Sequence, residues 1–383
     1  MTVKLKRKPL LNCVSSVARV VNPKAENPVL TTVKVEGRQG GKVLTTAVST
    51  EVWSVKKFIN EDAIDTQFTF CVNPKDFCQM LSAINDEDIE IDIKDTTLEI
   101  KHNNGTFNIS YLPDDDFPKT EREKDAVTIG KNTEELLSWM KEASLFVSTD
   151  QIRPILGGIY IYCSPEKFGV AATNAHILYH NYESGTEDVD SEVSGVINGN
   201  AITSVLSLLS NAGTVNISFG AKRICFATSD SMVSCAIPVG KFPNFEPLIK
   251  KTDAEKTHIT VNTKDFKDTV SRASLAADKP SGLLILSTKD NILTVQGEDL
   301  KASKSSRNNI ECTLDGEDMR FGLKGSNMSI SLVPVSSVNT TIDVESPKKA
   351  IFIIDEDAPN KSIMIMPCVV NWKPVHATKP TRR

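Results

Sequence analysis

The sequence lacks most of the marks that announce an enzyme or a membrane protein. No run approaches the roughly 18 consecutive apolar residues a membrane span requires. Met1 to Lys8 passes from basic residues into an amphipathic segment without the apolar core of a signal peptide. The expectation is a cytoplasmic protein with no membrane partner. There is no G-x-x-x-x-G-K-[ST], no G-x-S-x-G and no G-x-G-x-x-G behind a strand-like run, so a phosphate cradle, a serine elbow and a dinucleotide site all drop out. The eight cysteines (Cys13, Cys71, Cys78, Cys163, Cys225, Cys235, Cys312, Cys368) are scattered, with no C-x-x-C and no histidine at ligand spacing. They read as buried free thiols in a reducing compartment. His176 and His180 stand four apart, but their neighbours read as strand and no H-E-x-x-H glutamate lies between them. No metal and no cofactor is expected. Positive charge is not in excess either: 44 Lys and Arg against 49 Asp and Glu give a formal −5, which argues against coating nucleic acid through an overall basic surface. A ring could still confine its positive charge to an inner wall.

What is present is a repeat. At 383 residues, with 40% hydrophobic and 24% charged, the chain has room for two or three cores. A β-like run leading into an amphipathic helical segment starts at Val3, Phe68, Val127, Ser194, Ile259 and Arg320, at intervals of 65, 59, 67, 65 and 61 residues. Leu10, Leu11, Val14, Val17, Ala18 and Val21 form one helical stripe, with Pro9 suited to the first turn. Leu136, Leu137, Met140 and Ala143 form another, behind an Asn132-x-x-Glu135 start that resembles a capping box. Between helices the chain alternates as half-buried strands do, as at Ile89–Ile93, Leu98–Lys101 and Phe107–Tyr111. Pro334 should shorten the sixth helix to a turn or two. Paired, the segments predict an α+β fold of three similar domains, 1–125, 126–255 and 256–383, each with two helices and small antiparallel sheets. The boundaries fall near Glu123–Ala126 and Thr252–Thr257.

On that layout four local sequences become recognisable. Leu112-Pro113-Asp114-Asp115-Asp116-Phe117-Pro118 is similar to L-P-x-x-D-F-P, and Lys241-Phe242-Pro243-Asn244-Phe245 to R-F-P-D-Y. Ala172-Thr173-Asn174-Ala175-His176-Ile177-Leu178 is similar to A-T-D-G-H-R-L, and Met366-Pro367 to a terminal M-P. In this order the chain resembles the bacterial DNA polymerase III β subunit from about Val3 to Val370. The resemblance implies DNA-clamp domains forming part of a closed homodimeric ring that encircles double-stranded DNA without reading sequence. Such a ring is non-catalytic and tethers DNA polymerase and other DNA-processing proteins, with a clamp loader as a further partner.

By position, the family's partner-peptide pocket would be lined by Leu156, Thr173, Ala175, His176, Leu178, Pro243, Leu248, Met364, Met366 and Pro367. Two methionines suit a groove that accepts many peptides. Ala175 stands where the family has glycine, Ile177 where it has arginine, and Pro247 where many members have arginine, so the groove should be more apolar than usual. DNA-facing candidates are Lys24, at a basic loop position of the family, Arg153, and Lys8, Arg19, Lys75, Lys141, Lys264, Lys267 and Arg272 in or near helices. Asn198, Gly199 and Asn200 replace a basic pair. For the ring joint, Phe107 and Ile109 on an edge strand, with Leu275 opposite, would supply apolar contact.

Residues 371–383 run past the family's usual end and carry Trp372, Lys373, Lys379, Arg382 and Arg383 without an acidic residue. A tail of that composition either stays unstructured or gates the pocket or touches DNA. The drift in the pocket suits a divergent or phage-encoded member. The competing reading is a repeat-built protein-interaction scaffold that has nothing to do with DNA.

Overall fold

A computed structural model describes residues 1–38, 40–49, 52–59, 67–119, 123, 125–185, 189–249 and 256–370. Each of the six segments folds as a strand, a helix and three further strands. The first is β1 (Thr2–Lys6), α1 (Arg7–Val17), β2 (Val33–Arg38), β3 (Lys42–Val48) and β4 (Val52–Ile59). The second is β5 (Phe68–Val72), α2 (Pro74–Ala83), β6 (Asp88–Ile93), β7 (Thr97–His102) and β8 (Gly105–Ser110). The third is β9 (Val127–Asn132), α3 (Thr133–Ala143), β10 (Ile159–Cys163), β11 (Lys167–Thr173) and β12 (Ile177–Ser184). The fourth is β13 (Val193–Ile197), α4 (Gly199–Leu209), β14 (Thr214–Phe219), β15 (Arg223–Ala227) and β16 (Ser231–Ala236). One turn, α5 (Glu246–Ile249), precedes the fifth, which is β17 (Thr257–Asn262), α6 (Thr263–Ala276), β18 (Leu283–Lys289), β19 (Ile292–Asp299) and β20 (Lys304–Glu311), with a short β21 (Thr313–Asp315) added. The sixth is β22 (Arg320–Lys324), α7 (Gly325–Leu332), β23 (Asn339–Val344), β24 (Ile351–Asp355) and β25 (Ser362–Ile365).

The strand-to-helix switch is written into single residues. Asn73, Asn132, Asn198 and Asn262 cap α2, α3, α4 and α6, their side-chain oxygens accepting from backbone N–H groups that the helix leaves unpaired. At Asn132 the bond comes from the Glu134 N–H at 2.9 Å. On α1 the buried face is Leu10, Cys13, Val14 and Val17, while Leu11 is half-buried, so the stripe is rotated slightly from the predicted one. Each fully buried aliphatic side chain there contributes about 2 kcal/mol. α7 stops at Leu332, two residues before Pro334, as its missing N–H requires. The helices pack in neighbouring pairs, α1 on α2, α3 on α4 and α6 on α7. α6 also lies so close on β19 that a Cβ at Gly297 would sit 2.1 Å from the Ala273 carbonyl oxygen.

Compactness groups the chain into two units, Met1–Val170 with Ser184–Phe242, and Ala171–Glu183 with the chain from Pro243 onward. In the first unit one sheet runs β1-β6-β7-β8 and another runs β5-β2-β3-β4-β16-β15-β14-β9. The longer sheet is continuous because β4 and β16, the last strands of the first and fourth segments, pair from Val52↔Cys235 to Lys56↔Ser231. That seam is why compactness does not part residues 1–125 from the fourth segment. In the second unit β12-β25-β24-β23-β17-β21 are consecutive strands of one sheet, and β20-β19-β18-β22 form another. Here too the join is made by last strands, β12 with β25, from Ile177↔Ile365 to His180↔Ser362. β8 and β20, last strands of the second and fifth segments, stand instead at the ends of their four-stranded sheets.

Of the boundary residues, Glu123 is fastened: its carboxylate accepts from the Ala221 and Lys222 N–H groups at 2.6 and 3.0 Å. Residues 252–255, in the second boundary, and 371–383, the tail, lie outside the described residues.

Candidate functional site

The turn between β11 and β12 is built by two side chains. The Thr173 hydroxyl donates to the Ile177 carbonyl at 2.7 Å and accepts from the Ala175 N–H at 3.1 Å. Asn174 Oδ1 accepts from the His176 and Ile177 N–H groups at 2.9 and 3.0 Å. This arrangement forces Ala175 to φ +74°, a left-handed conformation that costs an L-residue roughly 1–2 kcal/mol. The turn then meets the end of the chain: the Met366 N–H donates to the His176 carbonyl at 2.8 Å, and Leu178 faces Met364 across the seam.

All the pocket candidates other than Leu156 and Leu248 can be placed from this turn, its seam and the chain before α5. Leu178 and Met364 are buried at 2% and 5% exposure and form a floor, with Thr173 buried beside them. His176, Ala175, Pro243 and Met366 are exposed, and Pro367 is half-buried. Phe245 anchors the segment between Pro243 and α5, its ring 5.0 Å from that of His180 on β12, and the Leu248 N–H donates to the Phe245 carbonyl. Leu248, 53% exposed, and Met366, 40% exposed, are large apolar groups left facing solvent. Leu156 belongs to the other compact unit, where it is 3% exposed in a turn whose Ser148 N–H donates to its carbonyl. His180 is buried against Tyr182 and Phe245 on a strand, while His176 is exposed in the turn.

The motif aromatics serve as fasteners. Phe117 packs with Val29, Val48, Trp53 and Cys71, under the Lys34 ammonium at 5.2 Å. Phe242 stacks on Tyr160 at 4.8 Å. None of the eight cysteines is in a disulfide; burial pushes Cys13 up to about 11 and Cys71 up to about 12, far from the reactive thiolate range.

Among the basic candidates, Lys8, Arg19, Lys24, Lys75, Lys141, Arg153, Lys264 and Arg272 are exposed. Two are engaged by the protein itself. The Lys267 ammonium donates to the Val335 carbonyl at 2.9 Å, and burial pushes its pKa down. The Arg272 guanidinium donates to Thr269 Oγ1 at 2.9 Å and Asn308 Oδ1 at 3.3 Å. Arg7, also on α1, is spent on structure, donating to the Asp86 and Leu81 carbonyls at the end of α2. α4 and α7 carry no charged residue at all. At the edge strand, Phe107 and Ile109 are half-buried and alternate with exposed residues, and Leu275 on α6 is 79% exposed.

The caps at Asn73, Asn198 and Asn262, and the engagement of Lys267, escaped sequence reasoning. An Asn closing each β-like run was the signal available for the caps; nothing local announced the Lys267 bond, which reaches 68 positions along the chain.

Comparison with known proteins agrees with this architecture. Residues 1–121 match the family model of the DNA polymerase III beta subunit, N-terminal domain, and residues 131–244 match that of its central domain. The beta sliding clamp of Bacillus subtilis is 24% identical over 286 residues, 72% of this chain and 75% of that protein. That of Halalkalibacterium halodurans is 24% identical over 338 residues, 85% and 88% of the two chains. Among solved structures, the DNA polymerase III subunit beta of Pseudomonas aeruginosa superposes with a TM-score of 0.91 at 18% identity, covering 97% of this chain and all of that one. The Thermotoga maritima subunit gives 0.87 at 17% identity. With a strand-helix-strand repeat running through all six segments and matched domain models spanning more than half its length, the chain belongs to the DNA polymerase III β subunit family.

Proposed function

We propose that this protein is a DNA sliding clamp: a ring that encircles duplex DNA, slides without gripping bases, and tethers DNA polymerase and other DNA-processing proteins. The observation that carries the reading is the fate of the last strands. Four of the six are joined in two seams, and two, β8 and β20, are left as edges. Pairing β8 of one copy with β20 of the next repeats the same join between chains, and a head-to-tail contact of that kind closes into rings when its rotation allows. In this reading Phe107 and Ile109 on β8 and Leu275 on α6 are the apolar groups that the joint buries. Two copies, each of three domains at 1–125, 126–255 and 256–383, make the ring.

In this reading Lys8, Arg19, Lys24, Lys75, Lys141, Arg153 and Lys264 meet phosphate, with Lys267 and Arg272 contributing less because protein groups already hold them. The docking pocket is the Leu178–Met364 floor with Thr173, Ala175, His176, Pro243, Leu248, Met366 and Pro367. Its occupants are short peptides of polymerase and of the clamp loader. The role is non-catalytic and its place is the cytoplasm, at the nucleoid or in a host cell if the gene is phage-borne.

The test is topological. Loaded onto nicked circular DNA, the protein should be retained through gel filtration and lost when the circle is linearised. A protein-interaction scaffold would show neither retention nor loss, and equal retention on circles and linear DNA would overturn the clamp.

A further inference from the structure

The second unit carries a groove of about 990 Å³. A row of direct cross-strand partners on one face of its larger sheet leads into it: Leu178, Met364, Phe352, Asp343, His258, Asp315. The row begins apolar and ends acidic. Six of its described lining residues are carboxylates, of which Asp343 is held by His258, Glu345 by Lys349 and Asp355 by Lys361, over an apolar floor of Phe352, Ile354 and Met319. Asp315, Glu317 and Glu356 are exposed.

The chain itself points at this groove as it leaves the described residues. After β25 it crosses to the outer edge of β22, where the Cys368 N–H donates to the Gly322 carbonyl at 2.8 Å in an antiparallel bridge. Val370 lies against Gly322, whose missing side chain leaves it room: a Cβ there would be 2.5 Å from Val370 Cγ2. Antiparallel to β22, the direction of travel is from Gly322 toward Arg320 and then Met319, Glu317 and Asp315, the last three of which line the groove. Beyond Val370 the chain continues as residues 371–383, with Trp372 near the start, then Lys373, Lys379, Arg382 and Arg383, and no acidic side chain. Thirteen residues extended would reach about 43 Å.

We infer that this basic segment, 371–383, occupies the acidic groove of its own chain, with Trp372 over the Phe352 and Met319 floor and the cationic side chains against Asp315, Glu317 and Glu356. Three observations converge on that occupant: the exit direction, the opposite charge, and the apolar floor beside an aromatic residue. Binding is intramolecular, so a local concentration on the order of millimolar suffices to fill the groove even if the segment alone binds weakly. It is also salt-sensitive, since exposed charges are screened within about 10 Å at 0.1 M salt.

The experiment uses a fluorescently labelled synthetic peptide of residues 371–383, read by anisotropy at low and high salt. It is titrated with the full chain and with a full-length variant in which Lys373, Lys379, Arg382 and Arg383 are all changed to Glu. The inference expects the variant, its groove vacated, to bind the peptide at least tenfold more tightly than the parent chain. Adding Glu317→Lys and Glu356→Lys to that variant should abolish the gain, and 0.5 M salt should weaken it. Adding Met366→Ala and Leu248→Ala instead should leave it intact. Equal binding by parent and variant, binding that survives the groove reversals, or binding lost only with Met366 and Leu248 would each overturn it. None of these readings uses DNA or a polymerase, so failure here leaves the clamp proposal standing.

Discussion

Strands that hold the same place in the repeat meet two different fates, and their residues say which. In the seam of β12 with β25, residues 177–180 and 363–365 are all buried, and in that of β4 with β16 the run Val52, Trp53 and Ser54 faces Val233, Ser234 and Cys235 under equal cover. β8, GTFNIS, and β20, KSSRNNIE, contain no buried residue and alternate exposed with half-buried positions. The seams are made as protein core is made. The edges carry polar and charged side chains that discourage indiscriminate strand pairing and leave any joint formed there modest and reversible. A ring closed through the proposed joint of β8 with β20 is expected to part there before either buried seam.

That contrast can be broken most violently on the covered side. Asp355, 1% exposed at the end of β24, accepts from the Ser336 and Ser337 N–H groups, both at 3.1 Å, and lies 3.4 Å from the Lys361 ammonium. Asp355→Ala should destabilise the chain by about 4 kcal/mol, seen as a lower urea midpoint at pH 7. Burial pushes this carboxyl up, but the serine hydrogen bonds and the Lys361 charge together hold it below the usual carboxylate range. Its contribution is therefore present above the unfolded value, about 3.9, and lost as pH falls through the lower folded value. The stability gap between parent and Asp355→Asn should accordingly narrow below pH 4.

Ile365→Ala, in the β12 seam, should cost about 3 kcal/mol by leaving a cavity where no side chain can collapse. The matching change on the open side, Phe107→Ala with Leu275→Ala, should move the unfolding midpoint of the chain by less than about 0.5 kcal/mol. It should weaken self-association at least tenfold in sedimentation, about 1.4 kcal/mol. If the edge variant unfolds the chain as readily as the seam variant, the distinction between the two strand classes is wrong. The smallest effect belongs to the turn beside the docking floor: Ala175→Gly relieves φ +74° and should raise stability by about 1 kcal/mol at most, since glycine also gains freedom in the unfolded chain.

The fold was legible in the sequence because its repeat is written in local residues. Pro9, Asn132 and Pro334 each act within one or two turns of where they stand, and all three do in the structure what their chemistry dictates. The site was legible only in part. That Met364 faces Leu178, or that His176 offers its carbonyl to Met366, depends on strands nearly 190 positions apart, and alternation within a strand does not name its partner. The diversion of Lys267 to the Val335 carbonyl is of the same kind: an exposed-looking lysine on a helix carries no local sign that a distant backbone oxygen already holds it.

The two unspent strands also impose a counting rule. If copies join through β8 and β20 as proposed, each copy brings one of each, so any open row of copies, however long, ends with one of each exposed. Adding members lengthens the row without reducing its loose ends. Only closure removes them, and the incentive to close is the same single joint whether the row holds two copies or twenty; the smallest number whose curvature permits it is reached first and wins by proximity. On that proposed joint, a strand edge that discourages indiscriminate pairing becomes a device that counts.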